Sequence, residues 1–436
     1  MSRRNRSRIV DDKWEQIFVD YDILTHIQRD GFYIITARTI NQYHQARLMT
    51  KFDYVSSLPN IFHYNDLAIL PTKRGEYMIA HFDAYERLHT DDRALLKDRK
   101  EIVFPNWIET IAPDNITSES TSINASAATG MIQHLFNEPD IVQTVSGRMS
   151  SKEFTFHIND RVRGGHYTLD VENSQVEIDG GFETPDKLIL IEAKNSSLET
   201  FLVRQLYYPY QLWAKQTRKE VVPVFLQYVN DTFNFSVFTF DDVDDYSSIR
   251  LLHRQNYIFG GERTTLSDIV DVHRRVLVVP EDTSVPFPQA NTFTKVIGIV
   301  ESIWNDVEGY VTLEELTLQN DFVMRQAQYY SRAAIYLELV EQTFDNRYIL
   351  TALGKRYIHS KRKERNLLIA EQILKHRTFN AVFVRGLVRG TALSTRETYA
   401  YLDSQSYYQS HLSTSTRKRR ASTISSWVNY LFDLIE

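Results

Sequence analysis

Between residues 150 and 240 the chain changes its hydrophobic period several times. Residues 153–158 and 175–179 alternate apolar and polar positions with a period of two, the pattern of half-buried strands. Residues 187–194 are apolar almost throughout, Leu188-Ile189-Leu190-Ile191, until Glu192, Ala193 and Lys194. That pattern suits a strongly apolar strand. Residues 199–216 have helical character, and residues 221–229 and 233–240 read as two further strands. Strands, a helix, then strands predict an α/β unit with a mixed central sheet. Residues 10–110 predict an α+β region, with strands at 31–36, 67–71 and 77–80 and a Gly-containing turn at 72–76. Residues 111–127, rich in Ser, Thr, Asn and Ala, read as a linker or exposed loop, and a helix is expected at 126–136. Residues 241–290 are acidic and then carry Pro280, Pro286 and Pro288, a second linker signal.

From residue 291 the pattern is mostly helical. Helices are expected at 293–307 and 321–339, with Thr312 and Glu315 placed as a capping box between them. Asp345-Asn346 marks a turn, and residues 347–351 read as one strand of a short hairpin. Three helices and a wing predict a winged helix-turn-helix, although a helical protein–protein module has the same pattern. A last helix is expected at 424–435. The domain boundaries that follow are 1–112, 113–280, 281–360 and 361–436.

Composition narrows the chemistry. The chain has 436 residues and no cysteine, so disulfides, thiolate metal sites and cysteine nucleophiles are excluded. No apolar run is long enough for a membrane span, and the basic start lacks the apolar segment of a secretory signal. A soluble cytoplasmic protein is expected. The net charge is −6, yet residues 361–436 hold 13 Lys and Arg against 6 Asp and Glu. A basic end on an acidic body suggests a polyanionic partner, or simply a solvated helical face. Arg417-Lys418-Arg419-Arg420, flanked by hydroxyl residues, suits phosphate contacts as well as a helix cap. The arm with Arg3, Arg4, Arg6 and Arg8 is expected to be disordered without a ligand. The histidines show no HxxxH or HEXXH spacing, and there is no Gly-rich phosphate loop.

The residues with the clearest chemistry are Asp179, Glu192 and Lys194. Alternation along a strand puts Glu192 and Lys194 on one face with Leu188 and Leu190. Charges at the end of so apolar a strand are costly to bury unpaired and make sense facing a polar cleft. Asp179 is expected to close its own strand before Gly180-Gly181, and it can meet Glu192 if the two strands are neighbours. Two carboxylates and the carbonyl of Ala193 are hard oxygen ligands for Mg²⁺. Glu177 shares a face with Asp179 and could serve a second metal. Standing alone, the set also reads as a strand-edge salt bridge.

The arrangement resembles the PD-(D/E)XK nuclease superfamily, with 12 residues between Asp179 and Glu192 and Ile178 where the name has proline. Pro185-Asp186 and Glu138-Pro139-Asp140 are decoys for that motif, though Glu138 is a candidate for the helix acid found in many members. The resemblance implies a restriction-endonuclease-like core, Mg²⁺ held by Asp179, Glu192 and Ala193, and Lys194 beside the attacking water. Gln205 resembles the helix glutamine that many members place beside the metal. Tyr208, Tyr210 and Trp213 read as core.

Three segments extend the resemblance to type II restriction endonucleases with an N-terminal accessory domain. They are residues 46–53 with Leu58-Pro59 and Arg74-Gly75-Glu76-Tyr77, residues 146–154 with the Asp179–Lys194 site, and residues 325–334. The first departs from the pattern in His44-Gln45, where an Arg-Glu pair is usual. The resemblance implies double-stranded DNA as substrate and water attacking phosphorus in line, with 5′-phosphate and 3′-hydroxyl products. It also implies a companion DNA methyltransferase on the same site, in a prokaryotic cytoplasm. DNA contacts are expected from Arg47, Lys51, Arg74, Arg325, Gln326, Gln328, Arg332, Arg417, Lys418, Arg419 and Arg420. A palindromic target would call for a homodimer, while two unlike DNA-binding regions could equally read an asymmetric site as a monomer. The alternatives are a transposon-end or junction-resolving nuclease on the same core, and a non-catalytic DNA-binding regulator.

Overall fold

Alternation decides the first sheet. In Glu153–Asn159, Phe154, Phe156 and Ile158 are buried while the residues between them face water. The computed structural model describes residues 3–88, 99–114, 116–280 and 287–435 and is mixed α/β, with mixed sheets. It divides into two units: one within residues 1–89, 118–228 and 233–256, the other within 90–117, 229–232 and 257–436.

The first unit begins with helices α1 (Arg3–Asp20) and α2 (Ile23–Asp30). The backbone from Arg3 is thus the start of a helix, where a disordered arm was expected. Strands β1 (Phe32–Thr36), β2 (Ala68–Lys73), β3 (Glu76–Ala80) and β4 (Tyr85–Arg87) follow. Gly75, at φ 80°, makes the turn between β2 and β3. Helices α3 (Glu119–Ala128) and α4 (Met131–Phe136) lead to strands β5 (Val142–Ser150), β6 (Glu153–Asn159), β7 (His166–Glu172), β8 (Gln175–Glu183) and β9 (Lys187–Lys194). Strand β10 (Thr200–Leu202), helix α5 (Arg204–Ala214), and strands β11 (Glu220–Val229), β12 (Thr232–Phe240) and β13 (Ile249–Phe259) complete it.

One sheet has the order β1-β3-β2-β7-β6, and a larger mixed sheet has the order β13-β12-β11-β9-β8-β5. Strand β9 runs parallel to β11, Lys187 opposite Glu220 through Lys194 opposite Gln227, and antiparallel to β8. It is central, which explains why Leu188 through Ala193 are all buried. A core of β6, β7, β9 and α5 side chains includes Phe156, Leu190, Tyr207 and Tyr208. Trp14, Phe18, Phe52 and Phe62 gather in a second core.

Two expected linkers are structured. Residues 119–128 form α3, with Ser118 Oγ accepting from Thr121 N at 3.1 Å. Its loop-like composition is a packing device: Ser122, Ala125 and Ser126 are buried, and the Ser122 and Ser126 hydroxyls donate to the carbonyls of Glu119 and Ile123. Small side chains let this helix lie close to the sheet. Within residues 241–290, β13 and helix α6 (Leu266–Arg275) stand where a linker was expected, and Thr265 and Asp268 form a capping box at the start of α6. Residues 281–286, with Pro286, lie outside the described residues.

In the second unit Gly260 N donates to Ile102 O at 2.9 Å, placing Arg99–Ile102 beside the end of β13. The helix α7 (Phe293–Asn305) is buried nearly all round. It is followed by β14 (Tyr310–Thr312), α8 (Leu313–Gln319), α9 (Met324–Tyr336), β15 (Val340–Gln342) and β16 (Arg347–Leu350). The three strands form a small sheet in the order β14-β16-β15. The Thr312–Glu315 capping box stands as expected, Thr312 N donating to Glu315 Oε2 at 2.7 Å. Helices α10 (Ala352–His359), α11 (Arg362–Leu374), α12 (Arg377–Arg389), α13 (Thr395–Asp403), α14 (Ser406–His411) and α15 (Thr414–Asp433) end the chain. Ser413 caps α15, so residues 417–420 lie within that helix and not ahead of it. A buried ionic group ties the turn after β11 to α7 and α11. Asn230 N donates to Glu301 Oε1 (3.1 Å), and Arg365 pairs with Asp231 (3.0 Å). Among the described residues no helix is long and apolar enough to cross a membrane.

Candidate active site

Asp179 lies within β8, which continues through both glycines to Glu183. The glycines therefore do not make a turn, as the sequence suggested. They make room: a Cβ on Gly181 would stand 2.7 Å from Val145 Cβ, and one on Gly180 would stand 3.0 Å from Ile123 Cγ2. The sharp turn comes later, at Thr184-Pro185-Asp186, where Thr184 N donates to Lys187 O. Pro185-Asp186 is thus a hairpin turn at the far end of β9 from Lys194, as expected of a decoy.

The antiparallel register places Gly180 opposite Ile191. Asp179 therefore comes beside the end of β9, and its Oδ2 accepts from Ala193 N at 3.0 Å. Glu192 is buried. Its Oε1 accepts from Lys194 Nζ at 2.6 Å and from Gln205 Nε2, on the first turn of α5, also at 2.6 Å. Lys194 Nζ also donates to Ala193 O at 3.1 Å. Asp179, Glu192, Ala193, Lys194 and Gln205 thus meet in one place. The other amide atom of Gln205, Oε1, is buried and has no hydrogen-bond partner among the described residues.

One acid of the cluster was missed in the sequence. Glu119, at the start of α3, pairs with Lys194 Nζ at 3.4 Å. Glu138, the helix acid proposed from the sequence, instead lies near enough to Lys187 to act on its charge, at the opposite end of β9. The only forward signal for Glu119 was Ser118 followed by acid, an N-cap with a carboxylate in the first turn. Glu177 is exposed and held by Arg148 Nε at 3.1 Å. Tyr207 and Tyr208 are core residues, and the Tyr208 hydroxyl donates to Pro71 O at 2.8 Å.

Electrostatics follow from this crowding. Burial, with help from Asp179 and Glu119, pushes the Glu192 carboxyl up to about 8 against the opposing pull of Lys194. Burial alone would lower Lys194, but Glu192, Glu119, Asp53 and Asp179 outweigh it and hold the amine as an ammonium. Burial also raises Glu119, opposed by Lys194. Four acids act on one cation, and the donor set is hard oxygen throughout. Among the described residues no group of three or more His, Cys, Asp or Glu could hold a metal ion by itself. Mg²⁺ asks for less, since it usually keeps several waters and takes one or two carboxylates plus substrate phosphate. Asp179, Glu192 and the Ala193 carbonyl fit that requirement.

The other expected contact residues have varied surroundings. Arg47, Lys51 and Arg74 are exposed in the first unit. Arg325, Gln328 and Arg332 are exposed on α9, while Gln326 is half-buried and its Oε1 accepts from Val323 N at 3.0 Å as a cap. In α15, Arg417 donates to Asp403 Oδ1 (2.9 Å) and Arg420 to Pro288 O (2.8 Å), so both are engaged within the second unit. Lys418 and Arg419 are exposed.

Three family models match the chain, each described as a domain of unknown function: DUF6996 over residues 11–79, DUF6997 over residues 80–258 and DUF7226 over residues 295–436. The whole candidate site from Glu119 to Gln205 falls in the second. No curated protein and no solved structure matches.

Proposed function

We propose that the first unit carries a Mg²⁺-dependent phosphodiesterase site of the PD-(D/E)XK kind, and that the protein is a sequence-specific endonuclease of double-stranded DNA, a type II restriction enzyme. The observation that carries this reading is the meeting of Asp179, from within β8, with Glu192 and Lys194 at the end of the adjacent strand β9. The order around them supports it, helices α3 and α4, then β5, β8 and β9 of the larger sheet, then α5 and β11, with a Gln205 amide on the second carboxylate.

Asp179, Glu192 and the Ala193 carbonyl would hold Mg²⁺, which when bound polarises a phosphodiester and acidifies water. The chain's own residues do the rest. Gln205 fixes the rotamer of Glu192 through its hydrogen bond. Asp179 is oriented by Ala193 N. Lys194, held as an ammonium, offsets negative charge that develops on phosphorus oxygens as water attacks, a role of electrostatic preorganisation more than of general base. In the second unit, α7, α8, α9 and the hairpin of β15 and β16 follow the order of a winged helix. Arg325, Gln328 and Arg332 then face the major groove, where arginine reads guanine and glutamine reads adenine. Lys418 and Arg419 are suited to phosphate. A cognate methyltransferase and a prokaryotic cytoplasm belong to the same reading.

Plasmid incubated with the protein and Mg²⁺ tests it. Discrete fragments are expected. Asp179→Ala and Lys194→Ala should abolish cleavage while DNA binding in Ca²⁺ persists. Wild-type-like cutting by either variant would remove the site assignment. Preferential cleavage of a cruciform would favour a junction-resolving enzyme, and binding without cleavage a DNA-binding regulator.

A further inference from the structure

The segment 51–57 lies in the N-terminal region of the sequence, yet its backbone is fastened to the strand that leaves the catalytic cluster. Leu202 N donates to Asp53 O at 2.8 Å. Val55 N donates to the Thr200 hydroxyl at 3.0 Å, and the Tyr85 hydroxyl donates to Phe52 O at 2.9 Å. Phe52 is buried, its ring 5.9 Å from that of Phe62. The short turn Val55–Ser57 is closed by Ser57, whose hydroxyl donates to Tyr54 O at 2.6 Å. The backbone is pinned on both sides, so the side chains of residues 51 and 53 have a defined origin. β10, to which it is pinned, stands between Lys194 and Gln205 in the chain.

Asp53 is largely buried and Lys51 is mostly in water, with 71% of its side chain exposed and its ammonium 3.6 Å from the Asp53 carboxylate. The bond to Leu202 sets Asp53 beside the strand that leads into α5, three residues ahead of Gln205, and Lys51 is among the charges that lower Glu119. An ion pair whose cation stands in water adds little to stability. Its place has another consequence. The cluster of Glu119, Asp179 and Glu192 repels a polyanion, and an ammonium beside it offsets that repulsion. Lysine is a compact charge on a flexible stem, suited to a phosphate oxygen approached from solvent.

We propose that Lys51 is a further substrate-binding residue of the catalytic site, taking a non-bridging oxygen of a DNA backbone phosphate next to the cleaved one, and that Asp53 is the positioning residue that holds it there. The proposal rests on the nuclease reading above. It brings the N-terminal segment into the catalytic site itself, instead of leaving it to recognition at a distance.

The full chain is used for the test, as Lys51→Ala, Lys51→Arg, Asp53→Asn and the double variant Lys51→Ala/Asp53→Asn. Binding to cognate and unrelated duplexes is measured in Ca²⁺ over a salt series, and cleavage kinetics in Mg²⁺. Loss of one phosphate contact should weaken binding to both duplexes equally and reduce the salt slope by about 1. KM should rise by more than kcat falls, Lys51→Arg should restore binding, and the melting temperature of Lys51→Ala should stay at the wild-type value. Asp53→Asn should weaken binding alone but add nothing once Lys51 is gone. A wild-type salt slope in Lys51→Ala, or an Asp53→Asn effect equally large in both backgrounds, overturns the proposal while leaving the nuclease reading intact. A wild-type protein that neither binds nor cuts duplex DNA overturns both.

Discussion

Glu119 is the residue whose role depends most on its surroundings. It touches Lys194, the cation that also serves Glu192, so removing its charge leaves that ammonium to a single close acid. On the proposed nuclease reading, Glu119→Gln should lower cleavage by about 10–100-fold, the usual cost of losing an outer group that supports a metal site. Comparing its rate with that of Asp179→Ala checks this, and a rate equal to wild type would make Glu119 a bystander. Glu301 is a second acid in an uncomfortable place. Burial first, and Asp231 second, raise its carboxyl to about 8, against the relief given by Arg365 and the Asn230 N–H. Unfolded, the same group titrates near 4.5. Between those values the folded state keeps a proton that the unfolded state has released, so stability falls as pH rises from about 4.5 to about 8. Glu301→Gln retains an acceptor for Asn230 N without the charge. It should match wild type near pH 4.5 and gain on the order of 1–3 kcal/mol at pH 8 and above, after allowance for partial exposure to water. Melting curves at the two pH values decide it, and a variant less stable at pH 8 would refute it.

At the scale of elements, β8 shows how much a strand can hide. Its glycines resemble a turn, but the neighbouring Val145 and Ile123 leave no room for a side chain. Gly181→Ala should cost about 1–3 kcal/mol through overpacking, read as a lower melting temperature. An unchanged melting temperature would mean that Val145 yields freely. The same strand shows what the sequence could reveal. Asp179, Glu192 and Lys194 were legible because strand alternation and an apolar run announce both the element and the face. Gln205 was legible as the start of the next helix. The helix α3 was not, because its buried side is Ser122, Ala125 and Ser126 with Ile123, which give no apolar stripe to detect. With the helix unseen, Glu119 had no element to stand on. The basic run in α15 was legible as charge, but the Arg417 contact with Asp403 and that of Arg420 with Pro288 depend on residues distant in sequence.

At the scale of the whole molecule, β3 divides its allegiance. Ile79 lies in the core built by Trp14, Phe18 and Phe62, and Ala80 in the core built by Phe156, Leu190 and Tyr208. On its far side β2 meets β7, with Lys73 opposite Glu172 and their side chains paired at 3.2 Å. The border between the first two matching family models, residues 79 and 80, therefore cuts a strand that serves both cores. A gene divided at that codon yields one fragment ending in an unsupported strand and another beginning with a stripped sheet margin, each prone to precipitate when made alone. Made together, the halves should find one another and restore a soluble complex, which co-purification through a tag on one half would reveal. Fragments that stay soluble and monomeric apart would mean that the border is a true joint. Inheritance of the two segments as an inseparable pair is what this shared wall demands.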